Sequence, residues 1–342
     1  MLNNQDFTHN RCSFLGGSDI GPLLGVSKFR SAMDVWLEKT GKRTRSHDSF
    51  ALRFGSFAED FIASEYARTT GEELALHAKG LIHPEYSFCV GHIDRFVLAQ
   101  TDTPLFDDDG SLNAKKLLEC KTANYFSQGD WGEAGTDAIP LPYLCQCLWY
   151  LSITGLSEID VAVLLGGSDL RIYTITRDRE LESLILEKAA HFWTAHVQKD
   201  IPPPPQSLAD CQSLFSKASS GKSIEANPET LDLIHRLKAL ESQAQVEEDQ
   251  INEIKQSLMQ TMADAEVLTY RGKPLITWKA PKPSYRIDTK RLSLDHPELI
   301  TQYQSPIQSS RRFVVKDWDG LSALPQESFH AQSNPSIVEA RS

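Results

Sequence analysis

Residues 117–123 read LLECKTA, and this stretch decides how the rest of the chain is interpreted. In a β-strand, successive side chains point to opposite faces. Glu119 and Lys121 then project from one face, and Leu118, Cys120 and Thr122 project from the other. The stretch therefore predicts a strand that holds an acid and an amine on the same side.

A second alternating stretch, residues 87–99 (SFCVGHIDRFVLA), predicts a neighbouring strand. One of its faces is apolar except at two positions, one of them Asp94. A carboxylate on an apolar face is costly to bury unless a charged group lies opposite it. If residues 100–114 form the loop between the two strands, Asp94 meets Glu119 and Lys121. Two carboxylates that hold a divalent cation beside an ammonium group are suited to hydrolysing phosphodiesters.

The ordinary explanation of Glu119-x-Lys121 is a solvated ion pair on one face of a strand. The tripeptide alone does not distinguish such a pair from a catalytic site. Asp94 on an apolar face favours the site, and the motifs elsewhere in the chain are needed to decide.

The composition is that of a soluble globular protein, with 40% hydrophobic and 24% charged residues. No apolar run approaches the length of a membrane span, and the N-terminal residues lack the apolar core of a signal peptide. The six cysteines form no CxxC pair, which predicts reduced thiols in a cytoplasmic protein without membrane association. The 342 residues exceed the usual size of one core, which predicts a large domain with a smaller appendage.

The net charge of −11 argues against indiscriminate binding of polyanions, but the charge is unevenly distributed. Residues 224–266 carry ten acids and three bases, whereas residues 271–316 carry ten bases and three acids. Aromatic residues such as Trp278 and Tyr285 are interleaved with these bases. Such a pattern can bind single strands or backbone phosphates, or it can neutralise the acidic segment that precedes it.

Residues 16–19 (GGSD) predict a turn that leads into a helix over residues 20–24. A second helix is predicted over residues 31–40. The hydroxyl of Ser18, free backbone N–H groups and a helix N-terminus can together form a cradle for phosphate. A simple capped turn is the ordinary explanation of the same residues.

Helical spacing is clear over residues 54–70, where six apolar residues predict a buried stripe. They are Phe54, Phe57, Ala58, Phe61, Ile62 and Tyr66. Glu59 lies at the edge of this stripe, where solvation on the helix surface is its ordinary role. A further helix is predicted over residues 142–155, in which Gln146 and Tyr150 share a face. A buried Gln146 needs hydrogen-bond partners, and a phosphate could supply them.

The remaining segments complete the predicted organisation. Strands over residues 160–165 and 170–176, joined by a GGSD turn, predict a hairpin, and a helix over residues 178–199 follows. The predicted appendage is divided into a linker (206–223), a helical arm with a basic hairpin region (224–316) and a flexible tail (317–342).

Five short motifs occur in order along the chain. They are Gly16-Gly17-Ser18-Asp19, Gly55-x3-Glu59, Asp94, Glu119-x-Lys121 and Gln146-x3-Tyr150. This series resembles the YqaJ-like viral recombinase family, which is similar to phage lambda exonuclease within the PD-(D/E)xK nuclease superfamily. The resemblance covers about residues 11–205, and the C-terminal segment is similar to extensions found on phage-encoded members.

The resemblance implies an α/β fold, in which a central mixed β-sheet flanked by helices forms a restriction-endonuclease-like nuclease domain over residues 1–205. It implies a Mg²⁺-dependent 5′-to-3′ exonuclease that acts on double-stranded DNA ends, releases mononucleotides and leaves 3′ overhangs for homologous recombination. The expected partners are a single-strand annealing protein and further copies of the chain in a homotrimeric ring.

The resemblance also assigns roles to residues. Asp94, Glu119 and the backbone carbonyl of Cys120 are the expected metal ligands, and Glu59 serves a second metal ion directly or through water. Lys121 orients or deprotonates the attacking water. Gln146 positions DNA or that water with support from Tyr150, while Arg11 and Ser18 hold the 5′-terminal phosphate. Hard cations such as Mg²⁺ or Mn²⁺ prefer oxygen ligands, which agrees with a set of carboxylates.

The chain departs from the family at one place. Relatives often have a small residue and Pro before the metal-binding aspartate and Gly after it, whereas this chain has His92-Ile93-Asp94-Arg95. A hydroxyl contact from that turn to phosphate is therefore missing, and His92 or Arg95 could replace it. Two other functions remain open, namely an endonuclease of the same superfamily, such as a restriction or junction-resolving enzyme, and a noncatalytic DNA-binding recombination scaffold.

Overall fold

The computed structural model describes residues 11–44, 49–282, 284–304 and 311–316. The chain divides into two compact units, Met1–Phe215 and Ser216–Ser342, and each is described by itself. The boundary falls within residues 206–223, which were predicted as a linker. The predicted tail over residues 317–342 lies outside the described residues.

The first unit combines helices and short strands. Its helices are α1 (Gly17–Leu23), α2 (Ala32–Lys39), α3 (Phe50–Thr70), α4 (Leu141–Thr154), α5 (Arg179–Phe192) and α6 (Leu208–Leu214). Its strands are β1 (Leu15–Gly16), β2 (Leu74–Ala75), β3 (Leu81–Ile82), β4 (Cys89–Gly91), β5 (Arg95–Leu98), β6 (Ala114–Ala123), β7 (Glu158–Leu165) and β8 (Asp169–Thr176).

Five of these strands form a mixed sheet in the order β2-β5-β6-β7-β8. The central pair β6 and β7 is parallel, and the other neighbours are antiparallel. β5 and β6 are therefore adjacent, as predicted. The turn between β7 and β8 uses positive φ at Gly166 and Gly167, which suits a tight hairpin.

The sheet is covered on both faces, because successive side chains alternate between two apolar clusters. Leu117 and Val161 belong to the larger cluster, together with residues of α4 and α5. Leu118 and Ala162 belong to the smaller cluster, together with Ile62 of α3. The predicted α/β fold with a mixed sheet between helices is confirmed.

The prediction of one continuous strand over residues 87–99 is wrong. β4 lies in a separate three-stranded sheet with β1 and β3, whereas β5 lies in the five-stranded sheet. The chain leaves the extended ladder between them, at residues 92–94. The physical reason is local, since the Asp94 side chain, and not a strand backbone, pairs with the backbone of β6 at Cys120.

The prediction of a single buried stripe on α3 is wrong in half of its members. Ala58, Ile62 and Tyr66 are buried, whereas four phenylalanines on α3 are exposed. They are Phe50, Phe54, Phe57 and Phe61, with exposed fractions of 76%, 41%, 81% and 55%. With about 100° per residue, the phenylalanines are centred about 130° around the helix axis from Ile62 and Tyr66. Only the side with Ile62 and Tyr66 contacts the sheet.

Part of the segment predicted as a linker is helical and belongs to the first unit. α6 lies within it, and Asp210 accepts a 2.6 Å hydrogen bond from the hydroxyl of Ser31. Ser31 is the N-cap of α2. A buried carboxylate that is hydrogen bonded to the cap of another helix fixes α6 against the unit.

The second unit contains the predicted long helix and hairpin. They are α7 (Pro228–Met262), β9 (Val267–Tyr270) and β10 (Lys273–Thr277), followed by α8 (Thr289–Asp295) and α9 (Pro297–Tyr303). Asn227 caps α7 through a 2.8 Å hydrogen bond to Thr230, and Pro228 occupies its first turn. Within the described residues, every helix is too short or too polar to cross a bilayer.

Candidate active site

The candidate site lies where β5 separates from β6. On the edge that faces β5, β6 pairs as far as Leu118, which lies opposite Arg95, while its other edge pairs with β7 from Leu117 to Ala123. The backbone N–H of Cys120 instead donates a 2.8 Å hydrogen bond to the carboxylate of Asp94. Asp94 therefore takes the place of a strand partner, which holds it beside Glu119.

Glu119 is the most enclosed acid of the site, with only 2% of its surface exposed. Its Oε1 accepts a 2.6 Å hydrogen bond from Gln146 and also contacts the ammonium of Lys121. Its Oε2 is buried and has no hydrogen-bond partner among the described residues. A buried carboxylate oxygen without a partner is costly, and a bound cation would satisfy it.

The two acids share one electrostatic environment. Burial and the negative charge of Glu119 together raise the pKa of Asp94 to about 7, against the opposing effect of Lys121. Burial also raises the pKa of Glu119, although Lys121 lowers it. Two like charges in a low-dielectric site resist ionising together. A bound cation would therefore favour the ionised form of both acids.

Lys121 is the amine of the site. Burial alone would lower the pKa of Lys121, but Glu119 and Asp94 outweigh it and raise that pKa. The side chain also lies 5.3 Å from the centroid of the Tyr143 ring. Lys121 is therefore a protonated donor here. A charged ammonium group is better suited to orienting water or stabilising negative charge than to removing a proton from water.

Glu59 approaches the acids from α3. Burial raises its pKa, and the charge of Asp94 adds to that increase. Its Oε1 accepts a 2.8 Å hydrogen bond from Arg95, which also pairs with Asp60. The sequence suggested Arg95 as a phosphate contact, whereas in the structure Arg95 pairs with two acids of α3. Glu59 is one of these acids.

Gln146 and Tyr150 project from α4 onto the same spot. The amide of Gln146 donates to Glu119 and, at 2.9 Å, to the hydroxyl of Tyr150. The backbone of Gly17 packs closely against both side chains. A Cβ at Gly17 would lie 2.7 Å from the Tyr150 ring and 2.9 Å from Gln146, so only glycine permits this approach.

Arg11 and Ser18 lie together at the start of α1. The guanidinium of Arg11 donates a 3.4 Å hydrogen bond to the hydroxyl of Ser18. Beneath them, Lys39 forms a 2.7 Å ion pair with Asp19 and donates a 2.9 Å hydrogen bond to the backbone carbonyl of Arg11. Arg30 also pairs with Asp19 at 3.3 Å. The residues Arg11 and Ser18 are therefore held by a buried network of ion pairs around Asp19.

The donor set fits a hard divalent cation in part. Asp94, just before β5, and Glu119, on β6, supply oxygen ligands, and Oε2 of Glu119 lacks a partner among the described residues. Within residues 11–44, 49–282, 284–304 and 311–316, however, no three His, Cys, Asp or Glu side chains are grouped as metal ligands. Glu59 would have to leave Arg95 to join the other two acids.

The sequence did not reveal three residues that shape the site. Gly17 was quoted within a turn motif, but its contact with Tyr150 depends on α4, which lies far along the chain. The sequence suggested Arg95 as a phosphate contact and gave no sign of its pairing with Glu59. Lys39 looked like an ordinary base in the last turn of a helix, and nothing in its spacing indicates a buried ion pair with Asp19.

The chain is similar to several known proteins. It is 27% identical over 323 residues to the uncharacterized protein YqaJ of Bacillus subtilis (strain 168), covering 92% of this chain and 95% of that protein. An alkaline exonuclease from Laribacter hongkongensis superposes with a TM-score of 0.44 and 16% identity, covering 58% of this chain and 94% of that one. A phage related exonuclease from Haemophilus somnus 129PT superposes with a TM-score of 0.38 and 12% identity, covering 56% and 98%.

The model of the YqaJ-like viral recombinase domain matches residues 6–157. This range includes Ser18, Glu59, Asp94, Glu119 and Gln146. It also covers the whole of α1 to α4 and the strands β1 to β6. Over residues 6–157 the chain is therefore similar to the YqaJ-like viral recombinase domain family.

Proposed function

We propose that this protein is a metal-dependent deoxyribonuclease that digests double-stranded DNA from its 5′ ends, releases mononucleotides and leaves a 3′ overhang. The observation that supports the proposal most directly is the buried pair Asp94 and Glu119, with a Glu119 oxygen that lacks a partner and an ammonium group in contact. A buried pair of acids with an unsatisfied oxygen is suited to holding a divalent cation, which stabilises the negative charge that develops in phosphodiester hydrolysis.

Each residue then has a task. Asp94, Glu119 and the Cys120 carbonyl would hold the first Mg²⁺, for which Mn²⁺ could substitute, and Glu59 would serve a second ion once released from Arg95. Such ions stabilise the attacking and leaving oxygens of phosphodiester hydrolysis. Lys121 orients the attacking water and donates to developing charge. Gln146, held by Tyr150, keeps the Glu119 carboxylate in place.

The proposed 5′ polarity depends on Arg11 and Ser18. Both carry donors, and an arginine can bind a terminal phosphate through two parallel hydrogen bonds. Because the buried Asp19–Lys39 pair fixes the backbone carbonyl of Arg11, the Arg11 backbone is held in place before DNA binds. An internal phosphodiester has less charge than a terminal phosphate, so this pocket favours chain ends.

The test compares three DNA substrates with Mg²⁺: 5′-phosphorylated linear duplex, the same duplex with 5′-hydroxyl ends, and closed-circular duplex. We expect mononucleotide release from linear DNA, faster with 5′-phosphate, and none from the closed circle. Cleavage of the closed circle would indicate an endonuclease. Absence of any Mg²⁺-dependent release, with DNA binding intact, would indicate a noncatalytic scaffold.

The proposal includes two partners. A 3′ overhang is the substrate of a single-strand annealing protein, and a homotrimeric ring around DNA would keep the enzyme on its substrate over many cycles. The mass of the full chain in solution, measured with and without duplex DNA, tests the ring. Co-elution with a candidate annealing protein tests the other interaction.

A further inference from the structure

The second unit contains a cavity that plays no part in the site described above. Its volume is about 500 Å³, within the range of small-ligand sites in proteins. We call it the Trp278 cavity. It is lined by Asn252, Lys255, Gln256, Met259, Gln260 and Ala263, together with Trp278.

Trp278 is held at the cavity by its backbone. Its N–H donates a 2.9 Å hydrogen bond to the carbonyl of Glu266. Glu266 follows α7 and Trp278 follows β10, so this bond ties the base of the hairpin to the end of the helix. The indole nevertheless keeps 45% of its surface exposed. The backbone of Trp278 is therefore fixed at this position, and its ring is accessible from solvent.

The opposite wall is one face of α7. Asn252, Gln256 and Gln260 are spaced four residues apart, which places them in one row along the helix. Each amide offers both donors and an acceptor, and Lys255 adds an ammonium group beside them. An aromatic ring facing amides and a cation can stack on a planar base, hydrogen bond to its edge and pair with its phosphate.

The hairpin that carries Trp278 is strongly basic. Residues 267–282 contain four bases and no acid, and all four bases are exposed. At the hairpin turn, the Arg271 guanidinium lies 5.2 Å from the centroid of the Tyr270 ring. Exposed bases beside aromatic rings form a surface that tracks a phosphate backbone and stacks its bases.

The bases of residues 271–316 could instead neutralise the acidic segment 224–266, and one weak ion pair supports that alternative. Lys279 lies 3.8 Å from Glu266, which follows α7, and Arg291 pairs with Asp295 within α8. The side chains of Lys279 and Glu266 are both more than half exposed. Such an exposed pair is weak, and it leaves Lys279 available to a phosphate.

We propose that the Trp278 cavity and the β9–β10 hairpin bind single-stranded DNA. An unpaired base stacks on Trp278 against the amides of α7, and neighbouring phosphates contact Lys255, Lys273 and Lys279. Duplex DNA is excluded from this mode because its bases are stacked on one another. The inference rests on the proposed function for the source of the strand, which is the 3′ overhang that the nuclease leaves.

The test uses the full chain in EDTA, where cleavage cannot occur, and an oligothymidylate of about 20 nucleotides. Binding is followed by anisotropy of a labelled oligonucleotide and by quenching of tryptophan fluorescence. We expect Trp278→Ala to weaken binding about tenfold or more, and Trp278→Phe, which keeps an aromatic face, to retain most of the affinity. Far-UV circular dichroism checks that α7 is intact in both variants.

A charge variant tests the phosphate contacts. Lys279→Gln should weaken binding and reduce the slope of log affinity against log salt by about 0.7. Lys188→Gln removes an exposed lysine on α5 and should change neither quantity. Parental affinity in Trp278→Ala, or equal losses in Trp278→Ala and Trp278→Phe, would overturn the proposal.

The outcome is separable from that of the nuclease assay. Single-strand binding that depends on Trp278 in a protein that releases no nucleotides would reject the proposed function and leave this site standing. If the protein releases nucleotides but its affinity for single strands does not depend on Trp278, only the binding site proposed here is rejected.

Discussion

The side-chain amide of Gln146 lies 2.6 Å from the carboxylate of Glu119, so a helix residue directly supports an acid at the centre of the sheet. The same amide donates to Tyr150. These two bonds use both N–H groups of the amide. They connect the helix face of the site to the strand that carries Glu119 and Lys121.

Replacing Gln146 with Leu should slow nucleotide release roughly ten- to hundredfold, because a hydrogen bond to a charged group contributes about 1.5–3 kcal/mol. Steady-state rates across a Mg²⁺ titration provide the measurement. Tyr150→Phe leaves the bond from Gln146 to Glu119 in place and should cost less. Equal losses of rate in the two variants would show that the hydrogen bond from Gln146 to Glu119 does not account for the effect on nucleotide release.

Replacing Gly17 with Ala should damage both stability and activity. The new Cβ would lie 2.7 Å from the Tyr150 ring, and such overpacking costs about 1–3 kcal/mol. Gly16→Ala is the matched control, since its Cβ would meet no atom closer than 3.8 Å. Denaturant unfolding and nucleotide release of the two variants give the comparison. Equal behaviour of the variants would show that the close contact is unimportant.

The sequence predicted the central elements well because their signals are local. The alternation around Glu119 marks β6, and the two glycines before Asp169 mark a hairpin. The failures have a different origin. Whether Phe57 or Ile62 faces the sheet depends on how α3 is rotated about its axis, and apolar side chains on both sides of the helix leave that rotation undecided.

The same distinction applies to the candidate site. Asp94 was noticed because an acid on an apolar strand face is conspicuous. The pairing of Glu59 with Arg95 was not noticed, because it depends on contact between a helix and a strand end that are 36 residues apart. Long-range ion pairs leave no periodic trace in a sequence, so their discovery requires coordinates.

Asp19 should make stability depend on pH in the acid range. Burial would raise its pKa, but Lys39 and Arg30 outweigh burial and lower it from 3.8 to about 2. Because the pKa of Asp19 is lower in the folded protein than in the unfolded chain, its carboxylate stabilises the fold at pH values above the unfolded pKa. This contribution is lost as the pH falls from about 4 to about 2. Its size is about 2 kcal/mol.

Urea unfolding of the parent and of Asp19→Asn at several pH values measures this contribution. The variant should be less stable at pH 7, and the difference should shrink below pH 4. Asp130→Asn removes an acid that pairs with Lys28 on the surface at 3.4 Å and should change little. A stability difference that is constant with pH would contradict the ionic explanation.

Metal binding should be measurable without catalysis. The parent should gain thermal stability with Mg²⁺ or Mn²⁺, roughly 5–10 °C at a hundredfold excess over Kd, and Asp94→Asn and Glu119→Gln should gain little. Because the pKa of Asp94 is raised to about 7 in the metal-free protein, the cation must displace a proton. Its affinity should therefore fall as the pH decreases from 8 to 6.

Isothermal titration in two buffers of different ionisation enthalpy counts the proton released. Asp130→Asn should bind the cation as the parent does. An unchanged thermal shift in Asp94→Asn would remove Asp94 from the set of ligands, and a pH-independent affinity in the parent would show that its proton is not displaced.

Lys121→Ala should slow cleavage severely while DNA binding survives. The substitution removes the donor that contacts Glu119, and loss of a donor at developing negative charge costs about a hundred- to a thousandfold in rate. It also raises the pKa of Asp94 and Glu119, since Lys121 lowers both. Part of the lost rate should therefore return at higher pH, where the two carboxylates ionise again.

Nucleotide release and duplex binding in EDTA measure the two properties separately. Lys115→Ala is the control on the same strand, because its side chain is 44% exposed and pairs with Glu72 away from the site. Cleavage by Lys121→Ala near the parental rate would refute the role given to this amine. Loss of duplex binding in the same variant would make Lys121 a binding residue, because an amine that only orients water does not contribute to DNA affinity.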